Sequence, residues 1–162
     1  MNRSLCIKDI MNQVNDDDIV IASTGYIARE VYRQKDRDLN FYMQGSMGNA
    51  FAIGIGLAMH VKNRVFVISG DGAVLMGLGS LITAKSLALH NLIHFILDNN
   101  CHESTGGQKT NSHLLDFRHL CKNTIVYKIG LDKDIPPRIK LSCKQITERF
   151  KNAVQRLSDK QK

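Results

Sequence analysis

The stretch "RVFVISGDGAVLMGLGSL", residues 64–81, is an apolar run broken by one aspartate between two glycines. Its first part, 64–70, reads as a buried strand, because unbroken Val, Phe and Ile suit a strand covered on both faces. Its last part enters a helical pattern predicted over 75–89. A strand feeding a helix is half of a parallel crossover unit, which points to an α/β chain. Between the two sits Asp71, flanked by Gly70 and Gly72, residues free to take backbone angles closed to others. A nucleotide phosphate, a metal ion and a plain structural turn all fit the tripeptide alone.

Outward from this stretch the same alternation repeats. Helices are predicted over 3–14, 24–34, 47–61, 114–121 and 142–157, and strands over 18–23, 40–44, 92–97 and 124–129. Residues 98–113 read as a polar loop, and Thr24–Gly25 as a cap-like turn opening a helix. The order predicts a three-layer α/β/α fold with a mostly parallel sheet. Ligands in such folds sit beyond the carboxyl ends of the strands. The loops "STGY", "QGSMG", "GDGA" and "DNNCHESTGGQKT" all fall there.

The chain has 162 residues, 43% apolar and 23% charged, enough for one domain with a single core. Its net charge of +7 invites a nucleic-acid reading. Residues 118–162 carry 12 Lys or Arg against four Asp or Glu, whereas residues 1–117 carry 10 against 11. With aromatics at 6% and no Trp, a solvated basic helix is the simpler reading and nucleic acid is not the expected partner. Cys6, Cys101, Cys121 and Cys143 show no finger spacing and read as reduced thiols, so a cytoplasmic location is expected. No secretory apolar block and no membrane-spanning run is present.

A second loop sharpens the reading of the first. About 25 residues after Gly72 comes "LDNNCHESTGGQKT", which one crossover brings beside Asp71. Asn amide and main-chain oxygens are hard ligands suited to Mg²⁺ or Ca²⁺. Asp71, an Asn and a carbonyl would leave positions for phosphate oxygens and water.

"GDGAVLMGLGSL", followed by "LDNNCHESTGGQKT" and preceded by "FYMQGSMGNAFAIGIGLAM", resembles the diphosphate-binding domain of thiamine-diphosphate enzymes. The likeness, to which "STGYIARE" adds, is to phosphonopyruvate decarboxylases and the β subunit of sulfopyruvate decarboxylases, and it covers roughly residues 3–120. It implies that Asp71 is a Mg²⁺ ligand, with Asn99 and the Cys101 carbonyl as the others; the register Asn100 with His102 stays open. It places the Gly45 carbonyl on the cofactor's exocyclic amine, beside Ser46, and Met47 as the apolar wedge bending thiamine diphosphate. Ser23, Thr24, Gly25, Gly70, Gly72, Ala73, Glu103 and Ser104 are implied around the diphosphate, Ser23 and Thr24 having helix capping as a competing role. His102 reads as an acid–base group, an anchor for an anionic substrate tail or a bystander. Lys109 is the one cation of the polar loop.

The resemblance further implies a 2-oxoacid decarboxylase, a lyase, whose pyrimidine-binding half lies on a partner subunit or domain, in a homo- or hetero-oligomer. Residues 1–120 would form the cofactor-binding core and residues 121–162 a divergent basic strand and helix of the same domain. The family's closing strand, of the type Gly-Pro-Thr-apolar, is not found near "RLSDKQK", which leaves open a sheet without its last strand. The alternative function is a truncated, non-catalytic remnant acting as an interaction or regulatory module.

Overall fold

The computed structural model describes residues 1–160. The elements are α1 (Arg3–Asn12), β1 (Ile19–Ala22), α2 (Tyr26–Gln34), β2 (Asn40–Tyr42), α3 (Ala50–Ala58), β3 (Val65–Gly70), α4 (Asp71–Met76), α5 (Leu78–Leu87), β4 (Leu92–Asp98), β5 (Cys101–His102), β6 (Gln108–Lys109), α6 (Phe117–Leu120), β7 (Thr124–Lys128) and α7 (Cys143–Lys160). Five strands form a sheet in the order β2-β1-β3-β4-β7, every neighbouring pair parallel. The expected α/β/α class holds, and among the described residues no strand pairs beyond β7.

Alternation along the strands splits the core in two. Ile19, Ile21, Val65, Val67 and Ile96 face one layer with Phe51, Leu81, Phe117 and Phe150. Val20, Ala22, Phe66, Ile68, Phe95 and Leu97 face the other, with Ile7, Ile10 and Val31 of α1 and α2. After β7 the chain crosses the carboxyl end of the sheet. The Gly130 N–H donates to the Met1 carbonyl, and the Gln44 amide donates to the Leu141 carbonyl. Helix α7 then packs on β2, where Phe150 meets Phe41 with ring centroids 5.2 Å apart. Its basic residues are partly spent on acids of the α2–β2 loop: Arg149 binds Asp36 at 2.7 Å and Arg156 approaches Asp38 at 3.3 Å.

Three expectations need correction. The helix predicted over 75–89 starts earlier, at Asp71, and breaks at Gly77. A side chain at Gly77 would collide with the Gly48 carbonyl, so the break lets α3's approach and the helix pack against each other. The polar segment 98–113 is not irregular but holds the β5–β6 hairpin and short 3-10 turns at Glu103–Thr105 and Ser112–Leu114. The Thr24–Gly25 turn gives α2 no side-chain cap; the Thr24 hydroxyl instead accepts the Gly45 N–H at 2.9 Å.

Candidate functional site

The carboxyl ends of β1, β3 and β4 surround a cleft. Ser23, Thr24, Met47, Gly70, Asp71, Gly72, Ala73, Asn99, Cys101, His102, Glu103 and Ser104 all line it. Gly25 adjoins it: at a φ of +91°, a Cβ there would stand 3.1 Å from the Ser104 hydroxyl, so the loops after β1 and β4 nearly touch. Gly45 and Ser46 line the neighbouring groove along β2, α3 and the start of α7. The Gly45–Thr24 bond joins the two.

Asp71 is buried, only 2% exposed. Its flanking glycines use no unusual angles, since neither Gly70 nor Gly72 has a positive φ. At Gly72 the requirement is space: a Cβ there would run into the His102 ring, lying 2.6 Å from Nδ1. The imidazole therefore lies against the glycine that follows the aspartate. Oδ2 of Asp71 accepts the Thr110 hydroxyl. Burial pushes the carboxyl above the usual carboxylate range and the nearby Asp98 charge adds to this, against hydrogen bonds from Thr110 and Ser112. The shift has no Lys or Arg among its causes.

The loop after β4 is shaped by its asparagines. Asn100 and Asn111 both take the left-handed conformation, at φ of 58° and 59°, which Asn tolerates better than most residues. Asn99 Oδ1 accepts the Cys101 N–H at 3.1 Å, and its amide nitrogen donates to Glu103 Oε2 at 3.3 Å. Both oxygens of Asn100 are engaged: its carbonyl accepts the Thr110 N–H at 3.1 Å and its Oδ1 accepts the Ser112 hydroxyl at 2.9 Å. The His102 carbonyl accepts the Gly107 N–H at 3.0 Å. Hydrogen-bonded and non-bonded pairs alternate along an antiparallel ladder. With Asn100–Thr110 bonded, the Cys101–Lys109 pair is the non-bonded kind and the Cys101 carbonyl faces away from β6. The two registers thus differ at the carbonyl, since the Asn99 and Asn100 side-chain oxygens each accept one hydrogen bond.

Several participants had no signal in the local sequence. Arg3, from α1, lines the cleft and binds Glu103 at 2.8 Å across one hundred positions. Tyr26 and Ile129 also line it. Lys109 does not; Arg3 is the cation at the cleft instead. Thr110 and Ser112 are bound to the carboxylates beneath. The repeated turn signals Asn-Asn, Gly-Gly and Thr-Asn-Ser could have exposed the hairpin that presents them.

Comparison with known proteins fits this geometry to a family. The family described as thiamine pyrophosphate enzyme, C-terminal TPP binding domain, matches residues 22–155. The chain belongs to this family. The match takes in β7 and most of α7, beyond the part of the chain that carried the resemblance. The β subunit of sulfopyruvate decarboxylase from Methanocaldococcus jannaschii is 40% identical over 148 residues, 91% of this chain and 74% of that protein. Phosphonopyruvate decarboxylase from Streptomyces viridochromogenes is 45% identical over 115 residues, 71% of this chain but only 29% of that protein. An X-ray structure from Mycobacterium smegmatis, of a protein described as thiamin diphosphate-dependent, superposes with a TM-score of 0.62 at 16% identity. It covers 96% of this chain and 29% of that one, a likeness of fold. Among the described residues no helix is long and apolar enough to cross a membrane.

Proposed function

We propose that this chain is the diphosphate- and Mg²⁺-binding half of a thiamine-diphosphate-dependent decarboxylase acting on phosphonopyruvate or sulfopyruvate, completed by a pyrimidine-binding partner polypeptide. One observation carries the reading: Asp71, buried and with no Lys or Arg of the described residues among the causes of its shift, faces the same cleft as the Asn99 amide oxygen's loop. Burying an unpaired carboxylate is costly, and a divalent ion at that point would remove the cost.

Asp71, Asn99 Oδ1 and the Cys101 carbonyl form an all-oxygen donor set of the hard kind Mg²⁺ takes, with room for phosphate oxygens and water. As a main-chain ligand Cys101 needs no reactive thiol, and burial in fact pushes that thiol up. Ser23, Thr24, Gly25, Gly72, Ala73 and Ser104 offer hydroxyl and N–H donors to a diphosphate. The first-turn N–H groups after Asp71 have no acceptor within their own helix. Gly45 and Met47, at the junction with the second groove, would hold the pyrimidine end, the thioether filling the bend. Bound there, thiamine diphosphate would supply the carbon nucleophile for a 2-oxo acid and the sink for the electrons left when CO₂ departs. His102, packed on Gly72 beside the metal loop, would hold a proton near the reacting atoms or meet the anionic tail. Glu103 is less available to a ligand, since both its oxygens already accept hydrogen bonds.

The names of the relatives motivate the substrate pair and the partner. The test is CO₂ release from phosphonopyruvate and from sulfopyruvate by the chain co-expressed with a candidate pyrimidine-binding subunit. Release from one substrate, dependent on thiamine diphosphate and Mg²⁺, is expected. No release from either with any such partner would overturn the assignment.

A further inference from the structure

We infer that Arg3 and Glu103 form a clamp that sets the orientation of the Asn99 amide, making Arg3 a positioning residue for the metal loop. The inference rests on the reading of Asn99 as a metal ligand. An Asn side chain presents an acceptor on one side and a donor on the other, so its neighbours decide which way it points. The Glu103 carboxylate can only accept, which requires the Asn99 NH₂ to face it, at 3.3 Å. The Cys101 N–H can only donate, which requires Oδ1 to face it, at 3.1 Å. Both neighbours give the same answer, and it turns the oxygen away from Glu103.

The clamp therefore depends on where Glu103 is fixed. Its Oε2 receives Arg3 NH1 at 2.8 Å as well as Asn99, and its Oε1 receives the Asp132 N–H at 3.1 Å. Arg3 is itself 2% exposed, lies over the Tyr26 ring at 5.0 Å and donates to the Asp134 carbonyl at 2.5 Å. Asp132 Oδ2 stands 3.9 Å from it. An arginine free to read a substrate's anionic tail would present its fork to the cleft. Here NH1 and NH2 are both committed to protein oxygens. The N-terminal helix and the segment after β7 thus meet at one guanidinium, which holds the carboxylate that orients the amide. Outer partners of this kind keep a first-sphere ligand in its productive rotamer.

The test uses the full chain as wild type, Arg3→Ala, Arg3→Lys, Glu103→Gln and Ser4→Ala. Ser4 is the control: it lies beside Arg3 on α1 but bonds Glu30, at 3.1 Å. The first readout is hydrogen exchange of the Cys101 amide without metal. The second is Mn²⁺ affinity by electron paramagnetic resonance with thiamine diphosphate present. Arg3→Ala should speed that exchange and weaken Mn²⁺ binding about 10–100-fold. Arg3→Lys, able to give one bond to Glu103, should recover part of both. Glu103→Gln offers one acceptor oxygen to three donors and should move both readouts in the same direction, even if Arg3→Ala fails to fold. Ser4→Ala should move neither. Unchanged Cys101 exchange in Glu103→Gln would overturn the clamp. So would unchanged Mn²⁺ affinity in a wild type and Glu103→Gln pair that both bind. A wild-type chain that binds no Mn²⁺ would instead overturn the metal reading, while the exchange arm still decides the clamp.

Discussion

Two aspartates end neighbouring strands of this sheet, and they live by opposite rules. Asp98, at the end of β4, is 1% exposed and fully provided for. Lys128 pairs with it, the Ser112 hydroxyl donates to it at 2.7 Å, and the Asn100 N–H donates at 3.1 Å. Burial alone would raise its pKa, but these partners outweigh burial and hold it below the usual carboxylate range. Asp71, next along the same end of the sheet, is as buried and has, among the described residues, neutral donors only. Its shift runs the other way. His94, deeper in β4, shows a third solution: fully buried against Phe51 and bonded to Ser69 at 3.0 Å, it is pushed down to about 3 and stays neutral. A buried group that is paired, or that stays neutral, serves the fold. One left short of a cation marks where charge is to arrive.

The comparison can be broken at each of its members. The largest effect is expected at Asp71. Replacing it by Asn should weaken Mg²⁺ binding in calorimetry by at least about 100-fold, beyond what loss of an outer partner costs. His94 should dominate the acid limb. Its folded pKa lies below its ordinary value, so between the two the unfolded chain takes up a proton that the folded chain refuses. Its stabilising contribution is complete above pH 6.5 and declines as the pH falls, by about 1.4 kcal/mol per unit. Urea midpoints measured from pH 7 to 5 should show this loss, roughly 2 kcal/mol in all, and His94→Gln should flatten it. Asp98→Ala strands the Asn100 N–H, while the Ser112 hydroxyl keeps Asn100 Oδ1, and should cost about 1–3 kcal/mol in urea unfolding. The same substitution should leave metal binding weakened through the loop, though less than Asp71→Asn does. Last, Lys128→Ala should leave Asp98 buried with neutral donors, so its carboxyl titration followed by NMR should move upward.

The readable part of this molecule was its local part. Strands β1, β3 and β4 are short apolar runs between turn residues, and Asp71 and Asn99 sit in motifs a few residues long. Their meeting follows from one crossover. The contacts that complete the site are long-range and leave no local trace. Arg3 lies in a helix whose apolar pattern says nothing of a guanidinium reaching residue 103, and Asp132 joins it from beyond β7. The β5–β6 hairpin escaped because two-residue strands are too short to show alternation. The glycines of the GDG turn were misread in kind: Gly72 is there for room beside His102, a reason that appears only once the loop after β4 is in place.

The central claim is that Asp71 is a carboxylate waiting for a cation, and thermal midpoints of wild type and Asp71→Asn, with and without Mg²⁺ and thiamine diphosphate, test it most directly. Without ligands the Asn variant should melt higher, because the buried charge is gone while a polar partner for Thr110 remains. With saturating ligands the order should reverse, wild type gaining about 2.7 kcal/mol at a hundred times its Kd and the variant far less. Equal gains in both proteins, or a wild type that ligands leave unmoved, would contradict the claim.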